Sequence, residues 1–327
     1  MLQVLLIGAV GARFCLAGYL ALRAAFGPAL WPLCIVEPVL FWICLPSAVL
    51  LLAALARKKR IAALTHAFIL AVWLATFGHV LVPPAERPPR SPAAEPGGRA
   101  PELSVLTFNV GAGLASYAEL VALLRRESTD LVLIQELTAD QARALAGDLL
   151  DLYPHRDLHG LGIEGLGALS KFPLLDQELF RIFAKRPYQR VVLDVRGEAT
   201  TVFNVHPGLS RLLVGPWSPN AQEFERLGEA AAQNTPALIV GDFNATENMN
   251  LCRSLERFGL RDAFRESGRG LGLTFPVPGK YHGLPLPAFV RIDFVWHTQA
   301  FESREARVLP DAGSDHYPLR VTLERTR

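Results

Sequence analysis

The chain has 327 residues, 50% of them hydrophobic, and a mean hydropathy of +0.24, which is too apolar for an ordinary soluble enzyme. Its four cysteines form neither a disulfide framework nor a zinc pattern. Three stand in apolar runs, at 15, 34 and 44, and Cys252 is alone in the rest of the chain.

Three apolar runs fill the first quarter. Residues 2–22 are apolar apart from Gln3 and Arg13, residues 31–56 are interrupted by Glu37 and three prolines, and residues 61–82 carry no formal charge beyond His66 and His79. Each reaches the roughly 20 residues that a helix needs to cross a bilayer. A cleaved signal peptide fits the first run poorly, because no basic segment precedes it and two further runs follow. Arg13 is costly in mid-membrane, so it either pairs with Glu37 inside a bundle or leaves two spans rather than three; three are expected. The basic stretch "RKKR", 57–60, marks the cytoplasmic side. With two spans or three, everything after Val82 then lies outside the cytoplasm.

Residues 83–101, "PPAERPPRSPAAEPGGRAP", read as a proline-rich tether without apolar periodicity. Beyond it, residues 102–327 suit a single α/β domain. That part holds 24 basic and 28 acidic residues, a net charge of −4, so the overall pI of about 8.4 belongs to the anchor. Phosphate neutralisation supplies most non-specific affinity for nucleic acid, and this balance disfavours such a partner.

The domain reads as short buried strands between helices. Strands are expected at 103–110, 130–137, 165–174, 189–197, 200–208, 236–244, 290–297 and 317–324. Helices are expected at 116–128, where Ser116 and Glu119 suit a capping box, and at 219–233. This pattern predicts layered α/β or α+β packing. Polar residues recur at the strand ends: Asn109, Glu136, His206, Asp242 with Asn244, Asp293, and the pair Asp315-His316. Side chains two apart on a strand share a face, so Asp242 and Asn244 are expected side by side.

The motifs "TFNV", "QE", "GALSKFP", "NVH", "GDFN", "RIDFV" and "SDH" occur in this order with similar gaps. Together they resemble the endonuclease/exonuclease/phosphatase superfamily, the deoxyribonuclease I-like group, over essentially all of 102–327. The resemblance implies a four-layered α/β sandwich of two central sheets flanked by helices, and metal-dependent phosphoester hydrolysis. It makes Glu136 the principal Mg²⁺ ligand, with Asn109 beside it and Asp315 contributing; Mn²⁺ is the alternative ion. Such a sparse oxygen set suits Mg²⁺, which keeps several waters. By the same resemblance Asp242 orients and deprotonates the attacking water, and Asn244 holds a phosphoryl oxygen or that water. His316 is polarised by Asp293, and His206 contacts the phosphate. Which histidine is the acid stays open.

Each residue alone has a quieter reading. Asp242 and Asn244 beside a glycine suit a turn, and His155, His159 and His282 lack partner motifs. Arg181, Lys185, Arg186 and Arg190 read as a solvated charged segment. The glycine-rich stretch 160–167 opens no helix and is not a phosphate-binding loop. The expectation is a multi-pass bacterial membrane protein with its catalytic domain on the extracytoplasmic side. It would act on a lipid-linked phosphate, pyrophosphate or phosphodiester at the bilayer. An extracytoplasmic nuclease and a catalytically silent binding module are the alternatives.

Overall fold

The computed structural model describes residues 13–22, 25, 39–81, 102–183, 186–208, 219–247 and 249–326. The expected tether at 83–101, the first part of the 2–22 run, residues 31–38 with Glu37, and Lys185 lie outside the described residues.

Four N-terminal helices are described: α1 (Arg13–Leu22), α2 (Leu40–Cys44), α3 (Ser47–Ala56) and α4 (Arg60–Leu81). Pro46 separates α2 from α3, since proline has no N–H for a continuous helix. Among the described residues, one stretch, Arg60–Gly78 of α4, is long and apolar enough to cross a bilayer. The helices at Arg13–Leu22 and Leu40–Ala56 are apolar but shorter. At the end of this hairpin away from the basic turn, the Phe41 ring lies 5.2 Å from Trp73 and 5.3 Å from Phe77. The indole of Trp73 donates to the Phe41 carbonyl at 3.0 Å.

In the rest of the chain the first elements are β1 (Glu102–Asn109), α5 (Tyr117–Glu127), β2 (Leu131–Gln135), α6 (Ala139–Asp148), β3 (His155–His159) and β4 (Leu166–Ser170). There follow β5 (Leu174–Phe180), β6 (Tyr188–Val195), β7 (Glu198–Val205), α7 (Pro219–Gln233) and β8 (Ala237–Asp242). The last are α8 (Asn250–Glu256), β9 (Arg261–Asp262), α9 (Ala263–Ser267), β10 (Asp293–His297), β11 (Phe301–Val308) and β12 (Leu319–Arg325).

The strands form two mixed six-stranded sheets, ordered β11-β12-β1-β2-β4-β3 and β5-β6-β7-β8-β10-β9. Each sheet has one parallel pair at its centre, β1 with β2 and β7 with β8. A parallel pair needs a long crossover, supplied here by the segments carrying α5 and α7. Side-chain alternation then builds the layers. Leu103, Val105, Leu131 and Leu133 face Leu238, Val240 and Val295 between the sheets. The intervening Leu106, Phe108, Val132 and Ile134 pack under α5 and α6, while Phe203, Ile239, Phe294 and Trp296 pack under α7 and α8. The result is an α/β sandwich in the order helix, sheet, sheet, helix. Strands covered on both faces lose the polar half of their pattern, which is why β2, β4, β8 and β10 are buried throughout.

Both capping boxes that start α5 and α6 are formed, Ser116 with Glu119 and Thr138 with Gln141. The strand expected at 165–174 is instead two. β4 ends at Ser170 in the first sheet, and β5 begins at Leu174 in the second. Lys171, Phe172 and Pro173 make the passage between sheets, and Pro173 could not donate to a continuing ladder.

Gly241 shows how closely β7 and β8 approach. Its φ is 144°, and a Cβ there would stand 2.1 Å from the Val205 carbonyl oxygen. Gly241→Ala is therefore expected to destabilise the domain by about 3 kcal/mol, measured as a lowered urea midpoint. An unchanged midpoint would mean that the two strands part without cost.

Candidate active site

The two parallel pairs end on the same side of the sandwich, and the polar strand-end residues collect there. Asn109 closes β1, Glu136 follows β2, His206 follows β7 and Asp242 closes β8. The antiparallel neighbours bring the remainder, because they start where the others stop. Asp293, first in β10, is the register partner of Asp242, and Asp315-His316 precede β12 beside β1. Asn109, Asp242 and Asp293 share the alternation of Val105, Val240 and Val295, so all three point between the sheets.

Two residues depart from that alternation. Glu136 falls in step with Val132 and Ile134, which face the helices. Its left-handed backbone, φ 59°, breaks the alternation, and Oε1 lies 3.5 Å from His206 Nε2. Such a conformation costs about 1–3 kcal/mol outside glycine. Asn244 corrects the sequence expectation that it shares a strand face with Asp242. β8 stops at Asp242, and Asn244 is left-handed, with φ 48°. Its N–H donates to Asp242 Oδ1 at 2.8 Å, and its side-chain amide donates to the Pro207 carbonyl at 2.9 Å. Turn chemistry therefore brings Asn244 beside the segment that carries His206.

The centre of the cluster is Asp242, almost fully buried. Its Oδ2 accepts from Asn109 Nδ2 at 2.9 Å and lies 3.5 Å from His206 Nε2 and 3.7 Å from His316 Nε2. The other ring nitrogen of His316, Nδ1, is 2.9 Å from Asp293 Oδ2. Ser314 ties this corner to β1 by donating to the Asn109 carbonyl at 2.7 Å. The Phe275 ring packs on His316 at 4.8 Å.

Charge follows from this geometry. Burial lifts the Asp242 carboxyl to about 7, a rise that the His316 cation opposes and the Asp293 carboxylate reinforces. Burial opposes the charge on His316, but Asp293 and Asp242 outweigh it and raise its pKa to about 10. His206 moves the other way. Burial, then the cations of Arg186 and His316, hold it well below the usual imidazole range, so it is neutral at physiological pH. Burial also raises Glu136, against its hydrogen bond to Asn109 and the charge of His316.

Among the described residues, Asp242, Asp293 and His316 offer ligand atoms within 4.8 Å of one another. His316 Nδ1 already engages Asp293 Oδ2 there, which leaves the buried Oδ1 without a hydrogen-bond partner, and a protonated imidazole repels a cation. Glu136 fits a hard divalent ion better. It is 20% exposed at the mouth of the site, is bonded to the Asn109 amide, and is close enough to Asp315 to feel its charge. These are oxygen donors with room for water, the chemistry Mg²⁺ prefers.

Two features escaped the sequence reading. Arg186, expected in a solvated charged segment, instead has Nη1 3.1 Å from Nδ1 and 2.8 Å from Nε2 of His206. Being near both nitrogens, the guanidinium stands over the ring face. Arg181 and Arg190 do pair with surface acids, Glu164 at 2.7 Å and Asp176 at 2.8 Å. The second feature lies beneath the site, where Gln135, Gln189 and Asn204 join the sheets. Gln135 Nε2 donates to Asn204 Oδ1 at 2.7 Å, and Asn204 Nδ2 donates to Gln189 Oε1 at 3.0 Å and to the Ile134 carbonyl at 3.1 Å. An amide inside the apolar run "VFNV" signals such a partner, since a buried amide left unbonded costs several kcal/mol.

Two packed mixed sheets with carboxylates, amides and imidazoles at their joined strand ends define a phosphoesterase or nuclease type of sandwich. The chain belongs to the endonuclease/exonuclease/phosphatase family, whose model matches residues 106–316; members hydrolyse phosphoesters and typically use divalent metal ions. Solved structures share the fold. A protein of unknown function from Enterococcus faecalis V583 has a TM-score of 0.55 at 20% identity, covering 68% of this chain and all of that one. A family member from Bacteroides thetaiotaomicron gives 0.54 at 17% identity, covering 70% and 100%. D. rerio TDP2, complexed with single strand DNA product, gives 0.53 at 16% identity, covering 68% and 99%. No curated protein matches the chain.

Proposed function

We propose that this chain is a membrane-anchored, Mg²⁺-dependent phosphoester hydrolase that works outside the cytoplasm on a lipid-linked phosphate, pyrophosphate or phosphodiester. The observation that carries the hydrolase reading is the meeting of Asn109, Glu136, His206, Asp242, Asp293 and His316 around one carboxylate. The lipid-linked substrate is supported by the apolar N-terminal helices, by the basic turn at 57–60 and by the −4 charge of 102–327. In this reading 1–82 is the anchor, 83–101 the tether and 102–327 the catalytic domain.

Glu136 and Asn109, with Asp315, would hold Mg²⁺, which when bound supplies Lewis-acid polarisation of a phosphoryl oxygen. The residues of the chain do the rest. Asp242, once ionised, takes the proton of the attacking water and aligns its lone pair with phosphorus. Asn244 and the neutral His206 fix phosphoryl oxygens by hydrogen bonds, and Arg186 adds positive charge behind His206. His316 keeps its proton through Asp293 and faces the negative charge that grows in the transition state.

The test is a substrate panel on the full-length chain in detergent micelles with Mg²⁺, beside Glu136→Gln. The panel holds a generic diester, a generic monoester, plasmid DNA, sphingomyelin and an isoprenyl pyrophosphate. Phosphate release from a lipid class is expected to fall by about 10²-fold or more in the variant. A nuclease is the second reading, favoured by the fold shared with a structure holding a single strand DNA product. Plasmid cleavage with no lipid turnover would select it. Silence on every member, with no Mg²⁺ bound in a titration, would select a binding module.

A further inference from the structure

Among the described residues, several loops at the mouth of the site present apolar side chains to solvent. Among the described residues of 102–326, eight large hydrophobic side chains are exposed, and five of them stand on loops that carry or touch the site. Leu114 lies against Gly111, whose N–H donates to Asn109 Oδ1. Leu161 and Ile163, each 54% exposed, flank Gly162, whose N–H bonds the Leu137 carbonyl next to Glu136. The backbone of Ile163 also hydrogen-bonds the His206 ring. Leu284 and Leu286 lie on the 276–289 segment, which leaves β-bridge residue Phe275 beside His316 and returns at Val290.

Exposed leucines alone name no partner. The same segment supplies the second observation: Trp42 Nε1 donates to the Phe289 carbonyl at 2.8 Å. Trp42 belongs to α2, at the end of the helical hairpin away from the 57–60 turn, and its neighbour Phe41 packs on Trp73 and Phe77. Tryptophans gather at the membrane–water interface, where the ring is apolar and the N–H seeks a partner. The Phe275–Val290 bridge, which carries the segment holding Leu284 and Leu286, is thereby joined directly to that level.

Resting on the membrane-anchored reading above, we propose that Leu114, Leu161, Ile163, Leu284 and Leu286 form a collar that seats in the lipid surface. The site then opens onto the bilayer and receives phosphoester groups presented by lipids from the headgroup layer. Water-borne polymers are excluded by the same seating. Five such side chains give the contact a hydrophobic driving force, since removing their exposed apolar surface from water is favourable.

The experiment uses the full chain in vesicles of phosphatidylcholine and phosphatidylglycerol with brominated acyl chains, which quench tryptophan on contact. Leu286→Trp and Ile163→Trp are compared with Leu175→Trp, a substitution of an exposed leucine on strand β5; each variant is first matched to wild type by its melting temperature. The expected result is that bromolipid quenches the added emission at 286 and 163 at least about twofold more than at 175, while acrylamide does the reverse. Equal quenching at the three positions overturns the collar. Protection from acrylamide without bromolipid quenching assigns the collar to a protein partner and overturns it too. The native tryptophans separate the two failures. If their wild-type emission is quenched by bromolipid while the added emission is not, the collar fails and the anchor stands. If the native emission is not quenched either, the anchor fails and takes the collar with it.

Discussion

Asp242→Asn is expected to lower kcat/KM on any phosphoester the protein accepts by about 10³-fold or more, within the range for loss of a general base. The change is nearly isosteric, yet it removes the anion between two imidazoles, His206 at 3.5 Å and His316 at 3.7 Å. Stability is expected to go the other way. Burial raises the Asp242 carboxyl to about 7 in the fold, from 3.8 for the ordinary group. An acid so raised loses stability as pH climbs from the lower value to the higher, because the fold disfavours its ionised form. A neutral asparagine removes that penalty, so at pH 8 the variant should melt no lower than wild type. A marked drop in melting temperature would make Asp242 a structural residue. The wild-type rate should rise with pH until the coupled pair of Asp242 and His316 has lost its first proton, near 7, and fall as it loses its second, near 10. A profile flat across neutrality would remove Asp242 from the role of base.

The largest expected loss of stability lies one step behind the site. Arg291 is buried, and its guanidinium donates to both oxygens of Asp262, at 3.1 and 2.6 Å, and to Glu247. The group also lies 4.4 Å from the centre of the Phe294 ring and 5.3 Å from that of Phe264. Burial opposes its charge, but Asp262 and Glu247 prevail and raise its pKa. Arg291→Ala leaves two carboxylates without their cation and is expected to cost about 3–5 kcal/mol. For a domain of this size that is a fall of roughly 10 °C in melting temperature. Arg291→Lys should recover little, because a single ammonium cannot reproduce the two-pronged contact. The loss should reach catalysis as well, since Ile292, the next residue, accepts from the Phe243 N–H and so links the starts of β10 and the end of β8. A melting temperature within 2 °C of wild type would mean that water reaches the acids.

The site was legible in the sequence because strand alternation is a local code. Asn109, Asp242 and Asp293 stand in step with the valines of their own strands, so their common direction can be read without a structure. Glu136 could not be placed in that way, as only its left-handed backbone turns it inward. Asn244 joined the cluster by a turn instead of the expected strand face. The expected strands do not include β3, β5, β9 and β11. All four are edge strands, and their polar sequences carry no apolar rhythm. Arg186 meets His206 from twenty residues away, a contact that follows from how β6 and β7 pair and not from any spacing. In the N-terminal region, length and composition carry α4, while the proline break between α2 and α3 leaves shorter pieces.

Gln135, Gln189 and Asn204 hold the sheets together directly under groups that gain and lose protons. None of the three amides titrates, and each bridges the sheets: Asn204 through Gln189 on one side and the Ile134 and Gly167 carbonyls on the other, Gln135 through Asn204, and Gln189 through Asp157. The floor of the site is thus indifferent to the electrical state of its contents. Asp242 can pass from acid to anion without altering the attraction that spaces β2 from β7. The group whose charge changes thus rests on a mount that carries no charge of its own.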